Sequence, residues 1–176
     1  MPKWKTHGSG YDYKDKLLSI GNNVVIEDGA RIFFPENIEI GDDVYIGHDT
    51  ILKAYFNQKL IIGKGTWIGP QCFIYAAGGI TIGENVGIGP GVKIMTSAHI
   101  TGDIAGPILH RPINFAPVTL GDGCDIGAGS IIMMGVNIGK YVQIGAGAVV
   151  NRNIPDKAVA AGVPAKILKL YQDVLV

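Results

Sequence analysis

Residues 118–150 read VTLGDGCDIGAGSIIMMGVNIGKYVQIGAGAVV, and one period runs through them. An aliphatic side chain returns at every sixth position: Leu120, Ile126, Ile132, Ile138, Ile144 and Val150. Glycine follows at 121, 127, 139 and 145. A period of six matches neither an α-helix, at 3.6, nor a lone strand, at 2. It is the hexapeptide pattern of a parallel β-helix, in which three short sides make one turn of a triangular coil. The aliphatic residue points inward and stacks on its equivalent in the next turn. The glycine lies near a corner, where a missing Cβ permits crowding or a positive φ. A second, smaller inward residue is expected four positions later, and Cys124, Ser130, Val136, Val142 and Ala148 stand there. Upstream the same register predicts Val24, Val44, Thr50, Thr66, Cys72, Val86, Val92 and Ala98 as inward.

Working outward, coil starts fall at Ile20, Ile40, Ile62, Ile82, Leu120 and Ile138. This predicts about six triangular coils, roughly 30 Å tall at ~4.8 Å per strand. Pro35 and Asn37 mark an irregular corner, and AYFNQKL (54–60) lengthens another. The one large interruption separates Ile82 from Leu120. The extra residues, rich in proline and glycine, read as an extended loop over 100–117, and a loop of that length in a compact repeat is usually functional. The organisation expected is an N-terminal segment (1–19), a β-helix (20–158) and a C-terminal cap (159–176). In the cap a short helix starting near Pro164 would turn Ile167, Leu168 and Tyr171 onto the open end of the prism.

Composition bounds the function. The 176 residues carry 15 basic and 15 acidic side chains, so no global field attracts nucleic acid or an acidic membrane. No apolar run approaches the ~20 residues that span a bilayer. The opening MPKWKTHGSGYDYKDK has no apolar core of the kind a secretory leader needs. A cytoplasmic protein without membrane insertion is the expectation. Cys72 and Cys124 both fall on small inward positions, where they read as buried hydrophobes of a reducing compartment rather than catalytic thiols.

A filled prism has no internal cavity, so chemistry belongs outside, at a corner, at a loop base or between subunits. His99, in IMTSAHI, stands where the long loop departs, and a neutral imidazole suits proton acceptance.

Three segments carry a family resemblance. Thr96-Ser97-Ala98-His99 resembles the catalytic-histidine segment of the hexapeptide-repeat sugar O-acetyltransferases, the galactoside, maltose and polysaccharide-pathway group. Pro117-Val118-Thr119-Leu120-Gly121 resembles that group's return from the loop. Ile144-Gly145-Ala146-Gly147-Ala148-Val149-Val150, with Ile154-Pro155 and Ala160-Ala161-Gly162-Val163-Pro164-Ala165-Lys166, resembles its acetyl-CoA end. The resemblance implies an all-β, left-handed parallel β-helix. It also implies an acetyl-CoA-dependent acyltransferase with His99 as general base, acetyl-CoA as co-substrate and no metal. Ala128 and Ala146 would offer backbone groups to the pantetheine arm, Asn151 and Arg152 would meet the CoA end, and Lys166 and Lys169 its phosphates. A homotrimer with active sites between subunits, and a sugar or sugar-nucleotide acceptor, follow from the same resemblance.

The acceptor side departs from the galactoside enzymes. Asp125 stands where they carry a cofactor-contacting tryptophan, and Gly69 and Ala77 replace two acceptor-binding residues. Tyr75 and the loop residue Asp103 are the acceptor-side candidates, Asp103 also as a partner for His99; O- and N-acetylation both stay open. Two other readings stay open. A γ-class carbonic anhydrase would gather His48, His99 and His110 on a metal. A non-catalytic β-helix would serve assembly alone.

Overall fold

The computed structural model describes residues 8–55, 57–102 and 105–172. The chain winds into parallel coils with three flat faces. On the first face Ile20, Ile40, Ile62, Ile82, Leu120 and Ile138 stack in one column, in the predicted register. Ile26, Ile46, Ile68, Ile88, Ile126 and Ile144 do so on the second. Ile32, Leu52, Ile74, Ile94, Ile132 and Val150 form the third. Six coils are complete. A seventh begins where Ile154 bridges to Ile138 and Ala158–Ala161 pairs with Gln143–Ile144.

These columns are the core. Ile46, Leu52, Ile68, Ile74, Ile88, Ile94, Ile126 and Ile132 are fully buried. The second inward set fills the space beside them: Cys72, Val86, Val92, Cys124, Val136, Val142 and Ala148 are buried. Two threonines of this set are held inside by hydrogen bonds to the next coil, whereas the buried Ser130 hydroxyl has no such partner among the described residues. Thr50 Oγ1 donates to Gly69 O at 2.8 Å and Thr66 Oγ1 to Gly83 O at 3.0 Å. The thiols do likewise, Cys72 to Gly89 O and Cys124 to Gly139 O. Burial pushes both thiols up from their ordinary range, which suits packing and not nucleophilic attack.

Two inward assignments need correction. Ala98 is exposed, because the chain has already left the prism; Thr96, two residues earlier, is the buried member there. Its hydroxyl donates to Tyr75 O at 2.6 Å and accepts from Gly78 N at 2.8 Å. Val24 is only half-buried, since the first coil lies at an open end. The segment before that coil, which has no hexad pattern, crosses this end: Gly10 O accepts from Ile32 N, and Tyr13 and Leu17 pack against the core.

The predicted C-terminal helix does not form. Lys166–Leu170 is a strand, antiparallel to Ala158–Ala161 at the edge of the second face. A helix of one or two turns is marginal without packing, whereas the last parallel strand presents an unpaired backbone edge. The chain reverses at Gly162, whose φ of +100° suits glycine, and takes that edge. Ile167, Leu168 and Tyr171 are accordingly exposed rather than turned onto the prism. Among the described residues no helix is long and apolar enough to cross a membrane.

The 100–117 region is more ordered at its base than a simple loop. Ser97–His99 pairs antiparallel with Ile113–Phe115, forming a two-stranded arm at the corner between the third and first faces. Ile108–His110 adds a 3-10 turn.

Candidate active site at the arm and the tail

The arm is seated by close backbone contact. A Cβ at Gly78 would lie 2.7 Å from Thr96 O and 2.9 Å from Ala116 N, so only glycine lets the arm's two feet cross this corner. Directly opposed residues of an antiparallel pair share a side, as do alternate residues along a strand. Ser97, His99, Ile113 and Phe115 therefore occupy one side of the arm, and Ala98 and Asn114 the other.

His99 is half-buried, and its Nδ1 lies 3.0 Å from the carbonyl oxygen of Arg111. A carbonyl only accepts, so in the neutral ring Nδ1 carries the proton and Nε2 keeps its lone pair. That is the protonation pattern a general base needs. The orienting partner is thus a backbone carbonyl, which no side-chain motif announces. Asp103 lies outside the described residues.

Tyr75 ends a strand of the third face, beneath the arm. Its ring stacks on Phe73, meets Tyr55 edge-on, and has the Lys53 ammonium 5.7 Å from its centre. Burial chiefly, and the neighbouring Tyr55 next, raise its hydroxyl pKa, opposed by a hydrogen bond with Ser97. Tyr75 is thereby joined to the strand that carries His99. At the foot of the arm a cleft of about 590 Å³ includes Gln58, Lys59, Thr81, Phe115 and Pro117 in its lining.

Ala128 and Ala146 lie one above the other at the corner between the second and third faces, both exposed. The coils stack so closely that a Cβ on Gly127 would sit 2.5 Å from Ala146 N. At the corner between the first and second faces, the corresponding amides of Asn22, Glu84 and Lys140 donate to Asp42, Asp122 and Asp156. No such carboxylate stands above Ala128 or Ala146. Among the described residues neither amide has an intramolecular acceptor. The two coils beneath carry Pro70 and Pro90, which have no N–H to offer. Two N–H donors are thus left in file along the prism axis.

The C-terminal strand adds cations. Arg152 and Lys166 line one pocket of about 330 Å³ with Asn153, Ile154, Ala165 and Ile167. Lys166 pairs with Ala161 and Lys169 with Val159, because Leu168 bulges out of the ladder. The bulge returns both lysines to the outer side of the sheet. Lys169 Nζ rests 4.5 Å over the Tyr171 ring. Asn151 is exposed at the end of the third face, one residue from the pocket.

Among the described residues no three His, Cys, Asp or Glu side chains gather so as to hold a metal ion. The carbonic anhydrase reading finds no support in the placement of its histidines. His48 Nε2 is 3.6 Å from Glu27, His99 faces Arg111, and His110 is exposed in the arm.

Comparison with known proteins agrees with this geometry. The family model for the hexapeptide repeat of succinyl-transferase matches residues 59–95 and 117–152, breaking where the arm leaves and returns. A provisionally named acetyltransferase of Saccharomyces cerevisiae is 34% identical over 157 residues, covering 89% of this chain and 67% of that protein. The galactoside O-acetyltransferase of Escherichia coli is 28% identical over 165 residues, covering 91% of this chain and 67% of its own length. Among solved structures, a mutant of AntD, an N-acyltransferase from Bacillus cereus in complex with dTDP and coenzyme A, superposes with a TM-score of 0.82. The identity is 27%, over 96% of this chain and 92% of that one. With its coils, arm histidine and basic tail, the chain belongs to the hexapeptide-repeat acetyltransferases.

Proposed function

We propose that this chain transfers the acetyl group of acetyl-CoA to a hydroxyl or amino group of a sugar or sugar-nucleotide acceptor, with His99 as general base. The observation that carries the proposal is the Nδ1–Arg111 carbonyl hydrogen bond, which leaves the Nε2 lone pair of His99 available. In the transfer, Nε2 takes the proton of the acceptor O–H or N–H as that atom attacks the thioester carbonyl. The C–S bond then breaks, and the proton passes from Nε2 to the departing CoA sulfur. The amides of Ala128 and Ala146 hydrogen-bond the pantetheine arm, while Arg152, Lys166 and Lys169 attract the phosphates, with Asn151 beside them. The AntD complexes with coenzyme A support the co-substrate, and one that also holds dTDP-4-amino-4,6-dideoxyglucose supports the acceptor class. The cleft with Gln58, Lys59, Thr81 and Phe115 suits such an acceptor: amide, ammonium and hydroxyl groups for ring hydroxyls, and an aromatic face.

A homotrimer is part of this reading. Within one chain His99 and the Ala128–Ala146 corner stand at opposite ends of the third face. Pro90, in file with Ala128, is six residues from Thr96, a span of at most about 20 Å. Ile108, Leu109, Ile113 and Phe115 of the arm are all about half exposed or more, which suits an arm that reaches a neighbour. Light scattering is expected to give three times the 18.6 kDa chain mass; a monomer at working concentration would overturn this assembly.

Calorimetric titration with acetyl-CoA, followed by turnover over a panel of hydroxyl and amino sugars and their nucleotides, tests the function. Lys166→Ala is expected to weaken acetyl-CoA about fivefold, the effect of about 1 kcal/mol for an exposed charge contact, and less at high salt. No heat of binding from the unaltered protein would leave only an assembly role.

A further inference from the structure

We infer that Arg111 is the positioning residue of the active site: its carbonyl fixes the tautomer of His99, and its guanidinium holds that carbonyl in place. This rests on the role proposed for His99. The arm makes two passes, outward after His99 and back before Ile113, and Arg111 lies on the returning pass. Its backbone carbonyl accepts from His99 Nδ1 at 3.0 Å. Its side chain donates back to the outgoing pass, Nη1 to Gly102 O at 3.3 Å and, more weakly, Nη2 to Gly106 O at 3.5 Å. Both glycines adopt positive φ, +125° and +93°, open to glycine at little cost. One residue thus holds the imidazole with its main chain and the chain beyond that imidazole with its side chain.

The backbone at Arg111 is constrained to match. Its N–H donates to Ile108 O, closing the 3-10 turn. Pro112 follows, and a residue before proline is pushed to extended backbone; Arg111 has φ −75° and ψ 155°. The next carbonyl, of Pro112, accepts from Ile100 N at 3.0 Å. Two successive carbonyls therefore face the strand that carries His99. A carbonyl on a half-exposed arm holds a ring only as firmly as the arm itself is held, and the guanidinium supplies that hold.

The test is Arg111→Ala, with Arg111→Lys beside it. In the unaltered protein, ¹⁵N spectra of labelled histidine are expected to show His99 protonated at Nδ1 when neutral. In Arg111→Ala the resonance moves toward the mixture of tautomers seen for free histidine. Turnover falls about 10–100-fold, the scale of a misplacement near 1 Å. The acetyl-CoA dissociation constant stays within about twofold, since the corner amides and basic tail are untouched. Arg111→Lys, with a donor that can reach one carbonyl, recovers part of both signals, and it serves the same comparison should the alanine variant fail to fold. An unchanged His99 tautomer together with unchanged turnover overturns the assignment, as does a loss of acetyl-CoA affinity matching the loss of rate. If the unaltered protein turns over no acetyl-CoA but the tautomer still shifts in Arg111→Ala, the positioning role stands and the acetyltransferase reading fails.

Discussion

His99→Ala is expected to lower acetyl transfer by about 10²–10⁴-fold, the usual contribution of a positioned general base. The dissociation constant for acetyl-CoA should change less than twofold. The separation follows from the layout. The imidazole hangs from an arm at one corner, whereas the proposed CoA contacts, Ala128, Ala146, Arg152 and Lys166, lie at another corner and in the tail. Loss of the side chain leaves the core intact, because His99 is only half-buried and its ring bonds to Arg111 O on the arm itself. His99→Asn is a useful companion: it offers an amide but no basic nitrogen, so it should be as inactive as alanine. Steady-state rates and calorimetry on the same preparations decide the matter. Turnover near that of the unaltered protein would sink the proposed mechanism.

Ile88→Ala is expected to cost about 2–5 kcal/mol, the range for truncating a buried isoleucine. For a chain of this size that corresponds to a melting point lower by roughly 5–15 °C. Ile88 is fully buried between Ile68 below and Ile126 above. Ile20 occupies the same hexad position, yet is 53% exposed, with a coil on one side only. Ile20→Ala should cost less than about 1 kcal/mol, because most of its surface already meets water. Equal losses at the two positions, read by thermal unfolding, would contradict the stacked-coil account of stability.

The coil register was legible because a six-residue period at two positions per hexad leaves little freedom. Once Ile82 is aligned with Leu120, every rung on three faces follows, even across the arm. The ends were less legible. Position alone does not distinguish Ile20 in a terminal coil from Ile88 in a central one. Lys166 and Lys169 share a side for a reason other than the one a helix would give: three residues apart is one helical turn, but here a bulge at Leu168 makes the match. The tail reads as a helix locally and becomes a strand because an edge is waiting, which is a tertiary fact. His99 stands out as a candidate, but its hydrogen-bond partner does not. A main-chain carbonyl carries no residue signature, and only folding brings Arg111 opposite His99.

The arm leaves at Thr96 and returns at Ala116, and the rungs on either side of the break stay paired, Ile94 with Ile132 and Ile80 with Val118. The excursion is therefore a detachable appendix to the scaffold. Doubling such a closed segment costs only about 0.6 kcal/mol in chain entropy. Natural variation can lengthen or shorten the stretch between His99 and Arg111 with the spring beneath undisturbed. Insertion and deletion are tolerated there, a freedom denied to the evenly wound hexads around it.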